Sequence, residues 1–303
     1  MRISSGPSSQ KQAHLVAVNR DGGDVHLLIT HPLRHVFCLQ VTQGDIPFDD
    51  HGAVQILARD LNGLTDNARS GPLMTRRIRI QEKKDVISIA PAIGSTTTVP
   101  ISMDIRRDRF CVNSNRTGGN KVVWLDSLSY RRSVSNYEIE WSISGALGAQ
   151  EHVYGTGQRF NRVDQRGERI DLWAVDNWLE TKGNSYVPVP FFLSIHGYGM
   201  FLNRFEHACL DLGATFSNRW RFTLWDAPLD MYFFLHDHPS DILWACASLT
   251  GFAPLPPAWT FGIHVCDYEQ VGVFATQQGI KSTLAAMEAN NLPYSSVIIE
   301  GWD

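Results

Sequence analysis

From about residue 13 to about residue 235, apolar side chains recur at every second position, the period of a strand and not of a helix. The runs His14–Val18, Val25–Ile29, Val36–Val41, Ile78–Ile80 and Val86–Ile89 are punctuated by turn-forming residues. Asp21-Gly22-Gly23, Gly44-Asp45 and Lys83-Lys84-Asp85 supply that punctuation. Arg109–Val112, Val122–Trp124, Tyr137–Ile143, Phe191–Ile195, Gly199–Leu202, Trp220–Leu224 and Met231–Leu235 continue the series. Tyr137–Ile143 alternates cleanly, which predicts one buried and one wet face. Many short strands joined by polar turns predict a mainly β fold, specifically a β-sandwich. The polar stretch Asn113–Asn120 is placed at a hairpin tip.

The pattern changes after residue 238. Pro239–Thr250 has proline at the first helical position, Asp241 in the first turn and Gly251 just past the end, which predicts a short helix. Pro254-Leu255-Pro256-Pro257 follows as a stiff linker. Beyond it, Trp259–Cys266 reads as a strand, Thr276–Asn290 as a helix and Ser296–Glu300 as a strand apolar on both faces. The sequence therefore divides into a flexible tail (1–12), a sandwich domain (13–256) and a strand–helix–strand piece (257–303). One such βαβ unit has open edges, so its natural context is the opening of a larger parallel α/β domain.

Composition excludes several classes. The 303 residues are 43% apolar and 19% charged, with a net charge of −4, an ordinary globular balance without the basic surplus of a nucleic-acid binder. The densest basic cluster, Arg76-Arg77-Ile78-Arg79, alternates with apolar positions and reads as the solvated face of a strand. No apolar run reaches the roughly 18 residues of a membrane span. Met1–Gln12 lacks the apolar centre of a signal peptide, so a cytoplasmic location is expected. Cys38, Cys111, Cys209, Cys246 and Cys266 are odd in number and have no metal-ligand spacing, which predicts reduced, mostly buried thiols. Neither a metal nor a cofactor is anticipated.

The most distinctive text is Tyr154–Trp173, where glycines, arginines, carboxylates and aromatics crowd one polar run. Tyr154-Gly-Thr-Gly-Gln-Arg-Phe-Asn161 resembles the Tyr-Gly-Leu-Gly-Glu-Arg-Phe-Asn signature of glycoside hydrolase family 31, with Gln158 where an acid is usual. Asp164-Gln-Arg-Gly167 is the same in both, and Leu172-Trp-Ala-Val-Asp-Asn177 is similar to the family's Leu-Trp-Asn-Thr-Asp segment. Val189-Pro-Phe-Phe-Leu-Ser194, Gly197-Tyr-Gly199 and Phe201-Leu-Asn203 resemble further blocks in the right order. Pro254-Leu-Pro-Pro-Ala-Trp-Thr-Phe-Gly262 resembles the Pro-Leu-Pro-Pro-Lys-Trp-Ala-Leu-Gly that enters the family's catalytic barrel.

The resemblance implies a galactose-mutarotase-like β-sandwich followed by the first βαβ of a (β/α)8 barrel, truncated. It also implies a retaining α-glycosidase, of the kind that includes α-glucosidases and α-xylosidases. Such a barrel takes about 250 residues and builds its site at the C-terminal ends of its strands. The family's nucleophile and acid/base are aspartates on the fourth and sixth strands, so no catalytic residue is assigned here and the chain alone is expected to be inactive. Chemistry agrees: retaining hydrolysis needs two carboxyl groups about 5 Å apart, one ionised and one protonated. A lone βαβ unit is a poor scaffold for that pair. The implied partners are an α-linked oligosaccharide or glycoside and the missing C-terminal barrel.

Two residues are assigned to substrate through the resemblance. Asp176 falls on the sandwich loop that reaches over the barrel mouth in the family, where a carboxylate accepts sugar hydroxyls while Trp173 or Trp178 stacks on a sugar face. Glu300 closes the second barrel strand, where many members carry a hydroxyl-binding aspartate. Alternatives are a free-standing carbohydrate-binding module and a mutarotase-like epimerase. The exposed edge of Ser296–Glu300 argues against the first, and His14, His26, His31 and His35 form no arrangement that compels the second. His236-Asp237-His238 lacks a third metal ligand nearby. Gly155-Thr-Gly157 is too short for a phosphate loop. Asp164–Glu168 reads as an ion-pair-rich turn, with Arg159, Arg166 and Arg169 available to carboxylates.

Overall fold

A computed structural model describes residues 3–5, 12–18, 24–33, 35–43, 78–83, 86–91, 101–105, 110–116, 119–134, 136–175, 185–267 and 276–299. Contacts divide the chain into two units, Met1–Gly251 and Phe252–Asp303.

The first unit opens with β1 (Ile3–Ser5), β2 (Gln12–Val18), β3 (Asp24–Leu33) and β4 (Val36–Gln43). Next come β5 (Ile78–Lys83), β6 (Val86–Pro91), β7 (Ile101–Ile105), β8 (Phe110–Arg116) and β9 (Gly119–Val134). After β10 (Tyr137–Ala146), β11 (Val153–Gly157) and β12 (Arg169–Asp171), the chain forms β13 (Pro188–Ser194) and β14 (Tyr198–Leu202). β15 (Ala208–Leu212), β16 (Arg219–Trp225), β17 (Leu229–Leu235) and helix α1 (Pro239–Thr250) complete the unit. One sheet runs β1-β2-β3-β4-β17-β14-β13-β11, and the other runs β12-β15-β16-β10-β9-β8-β7-β6-β5.

The stretch 1–12, expected as a tail, is corrected in part. Ile3–Ser5 pairs antiparallel with Leu15–Ala17, extending the sheet at an edge whose backbone groups would otherwise lack partners. The tip expected in Asn113–Asn120 is a hairpin: Arg116 pairs with Gly119, and Asn115 with Asn120.

Inward side chains of both sheets make the main core. Phe37, Leu39, Phe192, Met200 and Phe233 from one meet Trp141, Ile143, Trp220, Phe222 and Leu224 from the other. The Tyr137–Ile143 alternation supplies Trp141 and Ile143 to that core, while Ser142 points to the other face. A second cluster covers the opposite side of the first sheet, where Val36, Phe191, Phe201, Tyr232 and Phe234 pack with Ile242, Ala245 and Leu249 of α1. That double cover explains why every residue of β14 and β17 is buried. Gly199 has no room for a side chain, since a Cβ there would lie 2.6 Å from Ile242 Cγ2. Pro239 starts α1, and Gly251 at φ 98° ends it.

The second unit begins with a 3-10 turn, Ala258–Phe261, and continues through β18 (His264–Asp267), α2 (Gln277–Ala289) and β19 (Ser296–Ile299). The strand expected over Trp259–Cys266 is thus corrected in its first half. Thr260 Oγ1 donates to the Pro257 carbonyl at 2.7 Å, and the Gly262 N–H donates to the Trp259 carbonyl at 3.1 Å; together they wind the backbone there. Thr276 caps α2 by accepting from the Gly279 N–H at 3.1 Å. β18 and β19 pair in parallel. On the strand that is apolar on both faces, Ile298 and Ile299 are 42% and 45% exposed. A two-stranded ladder with one helix cannot cover both of its faces.

Candidate functional site

The Tyr154–Asn161 signature is first a device for backbone crossing. Gly155, Thr156 and Gly157 all have positive φ, at 118°, 70° and 91°, and the β11–β13 register shifts between the two glycines. A Cβ on Gly157 would sit 2.1 Å from the Val187 carbonyl oxygen, and one on Gly155 would sit 2.7 Å from that of Phe191. Only glycine allows these contacts. The Gln158 N–H then donates to the Val187 carbonyl at 3.1 Å.

The ion-pair-rich turn is present. Asp164 accepts from His152 Nδ1 at 2.7 Å and from the Arg166 N–H at 3.0 Å, and Arg162 pairs with Glu168 at 3.0 Å. Burial alone would raise the Asp164 carboxyl, yet the His152 ring and the Arg166 and Val153 backbone donors hold it below the ordinary range. Arg166 donates to the Glu151 and Ser217 carbonyls at 3.0 and 2.8 Å and so ties the turn to the second sheet. Glu151 is buried beneath, accepting from Ser194 Oγ and from the Gly148 N–H.

From this turn the chain runs through β12 into Leu172, Trp173, Ala174 and Val175. Ala174 forms a parallel bridge with Ser185, and the Val175 N–H donates to the Ser185 carbonyl at 3.2 Å. Ser185 is fully buried. Val175 and Ser185, the residues that flank 176–184, are therefore held together. Asp176, Trp178 and Glu300 themselves lie outside the described residues.

Beside that place stands a cluster that sequence reasoning missed. His207 Nε2 donates to Asp171 Oδ1 at 2.5 Å, and its Nδ1 is hydrogen-bonded to the Tyr137 hydroxyl. Trp225 packs 4.8 Å from the His207 ring centroid and stacks on Tyr137 at 5.1 Å. Trp173, half exposed, meets His207 edge-on at 5.3 Å. Arg159 bonds the Thr156 carbonyl at 3.0 Å; burial lowers its pKa, and the nearby Asp171 carboxylate opposes that shift. The result is an aromatic shelf with a hydrogen-bonded Tyr–His–Asp row, at whose side Trp173 leaves part of its ring exposed. Trp173 was visible in the sequence. Asp171 and His207 become neighbours only through the β12–β15 pairing, for which single residues give no signal.

The remaining histidine candidates are accounted for by packing. His31 and His35 are buried, against Phe37 and His236 respectively, and His238 is the residue preceding α1. Among the described residues no group of three or more His, Cys, Asp or Glu could hold a metal. No described helix is long and apolar enough to cross a membrane. Cys38, Cys111 and Cys209 are buried, Cys246 is half-buried and Cys266 is exposed, and none of the five is in a disulfide.

Known proteins share this architecture. Over 141 residues the chain is 30% identical to the alpha-xylosidase XylQ of Lactiplantibacillus pentosus, covering 45% of this chain and 18% of that protein. Over 222 residues it is 24% identical to an isomaltosyltransferase of Sporosarcina globispora, covering 68% and 20%. The cycloalternan-forming enzyme from Listeria monocytogenes, solved with a pentasaccharide substrate, superposes with a TM-score of 0.71 at 18% identity, over 99% of this chain and 26% of that one. The chain thus spans about a fifth of the length of the curated relatives. The family model described as the glycosyl hydrolase 31 N-terminal galactose mutarotase-like domain matches residues 11–211. With that match covering well over half its length, on a sandwich whose signature glycines sit where the backbone demands them, the chain belongs to glycosyl hydrolase family 31.

Proposed function

We propose that these residues form the front portion of a retaining α-glycosidase, in which the sandwich presents the segment 176–184 to an α-linked oligosaccharide. The pinned base at Ala174 and Ser185, next to exposed Trp173, carries this reading. Asp176, one residue past the described base, accepts sugar hydroxyls, and Trp173 stacks on a ring face. The relatives named an alpha-xylosidase and an isomaltosyltransferase support an α-glycoside as substrate class.

Residues 257–303 are the opening βαβ of the barrel, with Glu300 at the mouth of its second strand. Among the described residues of Phe252–Asp303 none is buried, and Trp259, Phe261 and Ile263 are 54%, 74% and 55% exposed. Such a surface fits a piece that packs within a larger parallel domain. The 303 residues by themselves do not hydrolyse glycosides, because the nucleophile and acid/base belong to later barrel strands. Saturation-transfer NMR of the chain with p-nitrophenyl α-xyloside and isomaltose tests the substrate contact. Weak binding lost in Asp176→Ala supports it; binding undiminished by that change sinks the assignment.

A further inference from the structure

We propose that the outer face of the nine-stranded sheet holds a second ligand site, for an oxyanion carried on a small sugar. The site belongs to the sandwich and borders the aromatic shelf, with Trp225 common to both, but it does not rest on the α-glycosidase reading. A groove of about 350 Å³ opens there. Strand pairing sets its floor in rows, because residues opposite one another in a ladder share a face. One row places Arg169, Asp211 and Arg221 side by side on β12, β15 and β16. The next sets Thr223, Ser142 and Ser129 across β16, β10 and β9, and the third sets Trp225, Glu140 and Arg131.

The lining contains Arg131, Arg169 and Arg221 and one carboxylate, Glu140, while Asp171 and Asp211 stand close enough to act on Arg169. Glu140 is already engaged: Arg131 Nε donates to one oxygen at 2.9 Å, and Trp225 Nε1 to the other at 3.1 Å. Asp211, which sits between the other two arginines in the row, turns its oxygens to the following turn. It accepts from the Gly213 N–H at 3.1 Å, the Ala214 N–H at 2.8 Å and the Thr215 N–H at 3.2 Å. Arg169 uses its Nε on Cys209 Sγ at 3.4 Å.

Arg169 and Arg221 stand two strands apart, about 10 Å at the backbone, a gap their long stems close over a single anion. The guanidinium fork matches phosphate, sulfate and carboxylate oxygens in pairs. Ser129, Ser142 and Thr223 line the middle row with hydroxyls suited to a polyol, and Trp225 walls one end. The groove therefore combines an anion pair with sugar-compatible donors.

The test is a calorimetric titration of the 303-residue chain at low ionic strength with glucose 6-phosphate, inorganic phosphate and glucose. Glucose 6-phosphate is expected to bind at least tenfold more tightly than either of the others. Arg169→Gln and Arg221→Gln, both at exposed positions, should each weaken it at least tenfold with Tm unchanged. Arg221→Lys, which keeps the stem and the charge, should weaken it less than Arg221→Gln. Failure of glucose 6-phosphate to bind, equal binding of inorganic phosphate or of glucose, or full binding in both glutamine variants would overturn the proposal. Asp176→Ala leaves this titration unchanged, which separates it from the glycoside site.

Discussion

The Ser185 carbonyl accepts the Val175 N–H at 3.2 Å, joining two residues ten positions apart at the root of one segment. Trp173→Ala removes the exposed ring beside it. Trp173 is half exposed, so stability should fall by no more than about 1 kcal/mol. Sugar binding in saturation-transfer NMR should be lost. Large destabilisation in urea melts would show instead that Trp173 is a core residue.

Gly157→Ala should be severe. The position combines φ 91° with a backbone oxygen 2.1 Å from the new Cβ, so neither rotation nor a side-chain shift relieves it. A loss of about 3 kcal/mol is expected from the urea midpoint. Gly251→Ala is the control: it shares a positive φ of 98° but has nothing within 4 Å of the added carbon, and should cost about 1 kcal/mol. Equal losses at both sites would contradict the crossing account.

Glu151 joins the two sheets through its buried carboxylate. It accepts from Ser194 Oγ and the Gly148 N–H, and its charge adds to burial in raising the Tyr198 hydroxyl well above its usual range. Glu151→Ala leaves those donors unsatisfied and should cost about 3 kcal/mol. Tyr198 fluorescence titration should then move down in pH; an unmoved titration would sever the proposed link.

Strand alternation made much of this sandwich legible, and proline and glycine punctuation marked α1. The misses have physical causes. β11 (Val153–Gly157) is absent from the alternation because its glycines serve a kink within the strand, and β15 (Ala208–Leu212) hides behind Cys209 and Asp211. The Asp171–His207 contact joins residues 36 positions apart, and the groove residues come from β9, β10, β12 and β16. Pairing register creates both, and register is a property of the assembled sheet.

Acid stability offers a test with a definite sign. Burial pushes the Asp164 carboxyl up, but His152 and two backbone donors prevail and hold it low. A carboxyl depressed by folding adds stability above its unfolded pKa, about 3.9. That stability is lost as pH falls through the lower folded value. His152→Ala should remove about 0.5 kcal/mol at pH 7, a small figure because the pair is partly exposed and screened. It should also flatten the stability curve below about pH 4. Parallel curves for the two proteins would contradict the assignment.

The most direct measurement is p-nitrophenol release from p-nitrophenyl α-xyloside and α-glucoside by the purified 303-residue polypeptide. The account predicts none above the buffer blank, even while the sugar is bound. Turnover that survives repurification and disappears in Asp176→Ala would contradict it, because the reacting carboxylates would then lie within these residues.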